Sequence, residues 1–392
     1  MHHRRTNRLV SLFVLFALVA GSAFGTTHRK KRRKPATVTA ASSPVQVVPA
    51  AHPVTTKLNI LGGPWKTPTF ADSTEGDSVD GEDLTVRRAA VQALGAYNGT
   101  VIVADPKSGR ILTIVNQKLA FQNGFEPCST IKVVAALAGL QEGILQNQNT
   151  LFHITRRQTI DLTQALAHSN NQFFAAVGVK LGYDKIAQYA HLFGLGERAG
   201  LNLDGEQPGS VADEPPADGL GMMTSFGEGI YMTPLELAAV MSAVANGGTL
   251  YYLQHPRSSQ EINEFTPRVK RQLDIAQWLP EIRPGMMGAV EYGTARRANF
   301  SATEPIFGKT GTCTDNRSPT HLGWFGSFNE SGENKLVVVV LLTGGHAVSG
   351  PIASGVAGAV YKNLSEVNYF VKSTPASPIA LISAGSLLGA GH

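Results

Sequence analysis

A serine followed three residues later by a lysine, Ser129-Thr130-Ile131-Lys132, is the first place in this 392-residue chain where residue types and spacing point to chemistry. On a helix this spacing sets both side chains on one face, about one turn apart. A lysine shielded by apolar neighbours loses proton affinity and becomes able to take the serine's proton. A helix N-terminus also favours the alkoxide that forms. The pair therefore suits attack by a serine oxygen on an acyl group. Alone, the spacing is weak, and a capped helix with an exposed lysine is the favoured reading of it. Two further clusters follow: Ser169-Asn170-Asn171, 40 residues on (169 − 129), and Lys309-Thr310-Gly311-Thr312, 140 residues beyond that (309 − 169).

These clusters need elements to hold them. Ser129–Ile144 is apolar on nearly all faces, which predicts a helix buried at the centre of its domain. Leu84–Ala96 reads as a helix with Asp83 as its N-cap. Thr100–Ala104 and Ile111–Val115 are β-branched runs split by Asp105-Pro106-Lys107-Ser108-Gly109, a hairpin signal. Residues 155–250 read as helix and loop. Three strand candidates follow, Pro305–Thr312, Leu322–Phe328 and Lys335–Leu342, with a turn at Asn329–Asn334. Ile352–Leu364 reads as a closing helix. Strands at both ends with helices between predict an α+β fold. In it an antiparallel sheet packs on helices, with an all-helical subdomain inserted.

Hydrophobic residues make up 43 % of the chain and charged residues 16 %, so a sizeable core is within reach. The formal charge of +5 is misleading. Residues 1–34 carry nine Lys or Arg and no acid, so the remainder is −4 (5 − 9). A basic nucleic-acid-binding domain is therefore not expected. The 11 histidines form no HExxH pair and there are only 2 cysteines, so neither a catalytic metal nor a cofactor is expected. A basic start and the apolar run Leu9–Gly25 make 1–25 a signal peptide or a membrane anchor. The six cations Arg29–Lys34 just beyond it run against the positive-inside rule. Residues 26–83, basic and then Pro/Ala/Thr-rich, read as a disordered linker. Its acidic end, 71–83, reads as a solvated loop, since its spacing matches no EF-hand. The main domain is expected over 84–372 and a loose tail over 373–392.

In this order the three clusters are the SxxK, SxN and KTG set, and the chain resembles the penicillin-binding transpeptidases and serine β-lactamases. The Gly99–Val115 hairpin, Thr233-Pro234-Leu235-Glu236-Leu237-Ala238, Ala245-Asn246-Gly247-Gly248, Gly293-Thr294-Ala295 and Trp324-Phe325-Gly326 extend the resemblance over about residues 85–365. The part before it is far too short for a glycosyltransferase domain, so the likeness is to a transpeptidase-only protein. Cys128 stands where that family usually has glycine, and Glu228 where it usually has glutamine.

The resemblance implies roles. Ser129 would be the acylated nucleophile, attacking the carbonyl between two D-alanines of a peptidoglycan stem peptide, or a β-lactam ring. Lys132 would be the general base. Ser169 would pass the proton to the leaving amine, and Asn171 would orient Lys132. Lys309, Thr310, Gly311 and Thr312 would bind substrate, with ammonium and hydroxyls on its terminal carboxylate. The N–H groups of Ser129 and Thr312 would form the oxyanion hole. Sharing one hole would draw Cys128 and Cys313 within disulfide reach, as in some class A β-lactamases; two buried free thiols are the alternative. His168 lies one position off the SxN face. Glu206 offers either a deacylating base or the acid of a structural Gly-Glu-x-x-Gly loop, the latter favoured. The expected function is a peptidoglycan D,D-transpeptidase that binds penicillin covalently at the outer face of the cytoplasmic membrane or in the periplasm. The alternatives are a β-lactamase or D,D-carboxypeptidase, and a non-catalytic penicillin-binding sensor.

Overall fold

β-Branched runs from the two ends of the chain meet in one sheet. Gly99–Ala104 (β1) and Ile111–Val115 (β2) form a hairpin, and Ile306–Asp315 (β3), Thr320–Asn329 (β4) and Val337–Gly344 (β5) form a meander. β1 pairs with β5, so the order is β2-β1-β5-β4-β3 with every neighbour antiparallel. The strand that carries the KTG cluster, β3, is therefore an edge. The computed structural model describes residues 65–371 apart from positions 202 and 316. The export or anchor segment 1–25, the linker up to 64 and the tail 373–392 lie outside the described residues. Among the described residues, no helix is long and apolar enough to cross a membrane.

Five helices position the sheet and the site: Leu84–Leu94 (α1), Lys132–Gln141 (α2), Asn171–Leu181 (α3), Pro234–Asn246 (α4) and Gly350–Glu366 (α5). Strand alternation divides the apolar side chains between two cores. Val101, Val103, Val338 and Val340 join Val86, Leu94, Val360 and Tyr361 of α1 and α5. Ile102, Val337, Val339 and Trp324 join α2 and α4 on the other face. Both faces are covered, which is why the strands read as unbroken apolar runs rather than alternating ones. α2 is buried from Lys132 through Leu140, as its all-round apolar sequence demands.

Several expectations need correction. The predicted helix Ser129–Ile144 is two pieces, a 3₁₀ turn over Cys128–Ile131 and then α2. The turn closes because the Thr130 N–H and hydroxyl both donate to the Pro127 carbonyl, at 3.2 and 2.6 Å. Residues 155–250 hold small antiparallel ribbons besides helix and loop, such as Phe152–Thr155 with Gln158–Ile160 and Ser210–Val211 with Ile230–Tyr231.

The supposed linker 26–83 ends early, since from Trp65 on the chain packs against the domain. Thr69 accepts from Gly345 N at 3.0 Å, and Phe70 bridges Tyr97. Nor is 71–83 wholly a solvated acidic loop: Asp72, Glu75 and Asp80 are exposed, but two other acids turn inward. Asp77 and Glu82 close on Arg87 of α1 at 2.7 and 3.3 Å, with both carboxylates almost wholly buried. Asp77 also accepts from Asn116 N and Gln117 N, and Glu82 from Ile114 N and the Thr113 hydroxyl. The acids join the upstream segment to β2, which a charge count along the sequence cannot reveal. Arg87→Met should strand two buried carboxylates and lower stability by about 3–5 kcal/mol. Chemical denaturation would measure it, and a loss below about 1 kcal/mol would show the triad to be solvated after all.

Candidate active site

Gly311 lets the Cys128–Ile131 turn approach β3. A Cβ there would lie 2.9 Å from the Pro127 carbonyl oxygen and 3.2 Å from both the Cys128 Cβ and the Thr130 methyl. The Sγ atoms of Cys128 and Cys313 are joined, with the two Cα atoms 5.5 Å apart. Cys128 takes φ of 50°, a left-handed conformation that suits glycine far better than a residue with a Cβ. Ser129 follows it and Thr312 precedes Cys313, so the bond holds the two segments side by side.

In a 3₁₀ turn residues i and i+3 eclipse, so Ser129 sits directly over Lys132. The Lys132 Nζ lies 3.0 Å from Ser129 Oγ, 2.8 Å from the Ser169 carbonyl oxygen, 3.1 Å from Ser169 Oγ and 2.5 Å from Asn171 Oδ1. Ser169 also has a left-handed backbone, φ 56°, which turns both its carbonyl and its hydroxyl toward the amine. Asn170 caps α3 through Phe173 N, and Asn171 is the first residue of that helix.

Counting donors settles what the amine can do. The Ser169 carbonyl and Asn171 Oδ1 only accept, so they take two N–H groups. The remaining direction faces two hydroxyls, which can accept or donate. Lys132 has no exposed surface, and burial, with the Lys309 ammonium second, pushes its pKa down to about 6. Once the amine is neutral, its lone pair takes the third position, on the side of the Ser129 and Ser169 hydroxyls.

Lys309 is fully buried as well, and burial lowers its pKa to about 7; its Nζ donates to the Thr310 carbonyl at 3.1 Å. The Thr310 and Thr294 hydroxyls share a bond of 2.7 Å, and Thr312 Oγ1 accepts from Gly350 N, the first residue of α5, at 2.7 Å. Thr312 thus keeps its proton for another acceptor.

Motif reading passed over several participants. The Ser225 carbonyl accepts the Ser129 hydroxyl at 3.3 Å, and the Phe226 ring lies 6.0 Å from Lys132 Nζ. Neither carries a signal in the sequence, because any residue has a carbonyl and an isolated phenylalanine reads as ordinary core. Thr294 had one, in Gly293-Thr294-Ala295. A Cβ at Gly293 would lie 2.1 Å from the Ala167 carbonyl oxygen, and Thr294 N donates to that same oxygen at 3.1 Å. This loop therefore braces the SxN cluster against β3.

The two distractors stay apart from this network. His168 is exposed and its ring meets Tyr292 at 5.7 Å. Glu206 is buried, and its carboxylate accepts from Ala199 N at 2.8 Å and from Gly200 N at 3.0 and 3.1 Å. It pins its own loop. Glu228 lies next to Asp218, and burial followed by that second carboxylate raises its pKa.

The profile described as penicillin binding protein transpeptidase domain matches residues 99–366. The chain is 26 % identical over 319 residues to the stage V sporulation protein D of Bacillus subtilis, covering 68 % of this chain and 49 % of that protein. It is 23 % identical over 360 residues to the peptidoglycan D,D-transpeptidase MrdA of Haemophilus influenzae, 69 % of this chain and 54 % of that one. The chain thus spans about half the length of these curated relatives. Its fold is similar to the transpeptidase domain of Burkholderia pseudomallei penicillin-binding protein 3, with TM-score 0.61 and 19 % identity over 74 % of this chain and 96 % of that one.

Proposed function

The chain belongs to the penicillin-binding protein transpeptidase domain family, and on that premise we propose that it is a peptidoglycan D,D-transpeptidase acting through an acyl-enzyme on Ser129. The observation that carries this reading is the buried Lys132 amine, 3.0 Å from the Ser129 oxygen, with two fixed carbonyl acceptors occupying its N–H groups.

Neutral Lys132 takes the Ser129 proton as the oxygen attacks the carbonyl between two D-alanines of a stem peptide. The oxyanion forms beside the N–H groups of Ser129 and Thr312, held in place by the Cys128–Cys313 bond. Ser169, within 3.1 Å of the same amine, relays the proton to the leaving D-alanine nitrogen. Lys309, Thr310 and Thr312 receive the terminal carboxylate. An acceptor amine from a second stem peptide then takes the acyl group. A β-lactam enters the same path and stays, because Glu206 is bonded to its own loop and is not a deacylating base for Ser129. The protein works outside the cytoplasmic membrane, delivered or anchored by residues 1–25. Intact-protein mass spectrometry after benzylpenicillin tests this, with one adduct expected to persist for many minutes. Rapid turnover without an adduct would favour the hydrolase alternative, no reaction at all would end the acyl-enzyme reading, and acyl transfer to a D-amino acid acceptor would exclude the sensor.

The pH profile has a definite sign. Acylation should rise as pH climbs through about 6, where Lys132 loses its proton. It should fall above about 7, where Lys309 loses the charge that holds a carboxylate. The two amines repel each other, so the apparent values belong to the pair. Stopped-flow acylation across pH 5–9 would show the bell, and a flat profile would remove Lys132 from the role of base.

A further inference from the structure

Contacts between β3 and the segment leading into Ser129 follow one another in order. Gly311 lies against Pro127 and Cys128, Cys313 is bonded to Cys128 and lies 3.8 Å from a Glu126 carboxylate oxygen, and Arg317, just past β3, donates to the Gly124 carbonyl. If the carboxylate sits at Lys309–Thr310 and the oxyanion at Thr312, the rest of an acyl donor extends past Cys313 toward Arg317. There the Arg317 guanidinium stacks on Tyr231, 3.6 Å from the ring centroid. Tyr231 comes from a separate segment, next to Met232, which exchanges two backbone hydrogen bonds with Phe125. Arg317 is also held by Asp315, which accepts from its backbone N–H at 2.8 Å and pairs with its guanidinium at 3.7 Å.

Next to the residues that flank this clasp lies a hollow of about 630 Å³, lined among others by Phe125, Asp315, Ser318, Lys118, Asp72 and Glu75. Asp72 and Glu75 come from the segment upstream of the family match, which begins at residue 99. The hollow has a mixed polar and apolar lining, is large enough for several atoms of a peptide side chain, and is reached by Asp315 and Ser318 from either side of Arg317.

We propose that the Arg317–Tyr231 stack is the specificity-determining contact of the acyl-donor end of the cleft. A donor that ends soon after the reacting carbonyl fits in front of the clasp. A longer donor, such as a stem peptide with an extended polar side chain, displaces Arg317 from Tyr231 and reaches the hollow. Arg317 touches neither Ser129 nor Lys132, so it selects the donor without altering the attack. This inference rests on the transpeptidase reading and adds the residue that sorts its donors by length.

The test uses the full chain and two β-lactams that share one reacting ring. One is 6-aminopenicillanic acid, which has no acyl side chain; the other is a penicillin with a large fluorescent side chain. Arg317→Ala should raise the second-order acylation constant for the large penicillin about fivefold, the scale of one partly exposed cation–π contact. It should leave 6-aminopenicillanic acid unchanged within about twofold. Tyr231→Leu should behave as Arg317→Ala does, while Tyr231→Phe, which keeps the ring, should match the parent. Equal changes for both compounds would make the clasp a structural brace, and no change, or a loss with the large penicillin, would likewise overturn the proposal. If neither compound labels the parent chain, the transpeptidase reading fails first and the donor assignment with it.

Discussion

Ser129→Ala should leave no covalent penicillin adduct, with acylation falling by about four orders of magnitude or more. The size follows from what the hydroxyl does. It is the atom to be acylated, and no other described hydroxyl lies both over the nucleophile turn and at 3.0 Å from the Lys132 amine. The Ser169 oxygen, at 3.1 Å from that amine, is the nearest rival, so residual labelling that disappears in a Ser129→Ala, Ser169→Ala double variant would identify a substitute nucleophile. Lys132→Ala should be nearly as damaging, because Ser129 then faces the Ser225 carbonyl and has no base. The two losses will not add, since both residues serve one proton transfer. Near-UV circular dichroism should stay at the parent signal in Ser129→Ala, which removes one oxygen. Undiminished labelling of Ser129→Ala would end the assignment.

Breaking the Cys128–Cys313 bond should have the second largest effect, on stability and rate together. The bond closes a loop of 185 residues. Chain entropy alone puts an upper figure of about 5 kcal/mol on such a loop, and about 3 kcal/mol is the usual yield. For a domain of this size that is a fall in melting temperature of about 6 °C. Two variants separate the bond from the backbone it constrains. Cys128→Ala loses the bond and keeps a Cβ on a left-handed residue, whereas Cys128→Gly loses the bond and relieves the φ of 50°. Glycine should therefore be the more stable of the two by about 1 kcal/mol. Both should acylate more slowly than the parent, because Ser129 N and Thr312 N are no longer tied. A free-thiol assay on the denatured parent supplies the control: two reactive thiols per chain would refute the bridge.

Local pattern was enough for the elements that are long and apolar. The hairpin signal at Asp105–Gly109 and the β-branched runs around it identify β1 and β2 almost to the residue. Asp83 does cap α1, accepting from Thr85 N and Val86 N. The burial of α2 on all sides is written in its composition. Elements made by distant partners escaped this reading. The ribbon Ser210–Val211 with Ile230–Tyr231 is two residues wide, too short for any period to register. The segment 65–83 looks polar and loose because its partners, Arg87, β2 and the Gly344–Gly345 turn, lie elsewhere in the chain.

For the site the division is similar. By its own residues the sequence singles out the candidate groups: Ser129 and Lys132, Ser169 and Asn171, and Lys309 to Thr312, as three clusters in a fixed order. Side-chain chemistry and short spacing are local properties, so they survive without coordinates. Protonation, by contrast, depends on what surrounds a group. Lys132 loses proton affinity because it is buried and because Lys309, from another element, stands near it, while the oxygens of Ser129, Ser169 and Asn171 fix the direction of its amine. The 3₁₀ turn that eclipses Ser129 and Lys132, the left-handed Cys128 and Ser169, and the Ser225 carbonyl all arise where the helical side meets β3. The clasp of Arg317 on Tyr231 joins residues 86 positions apart (317 − 231). Only the tertiary structure decides such contacts, because burial and approach between distant segments exist only once the sheet has closed β1 onto β5.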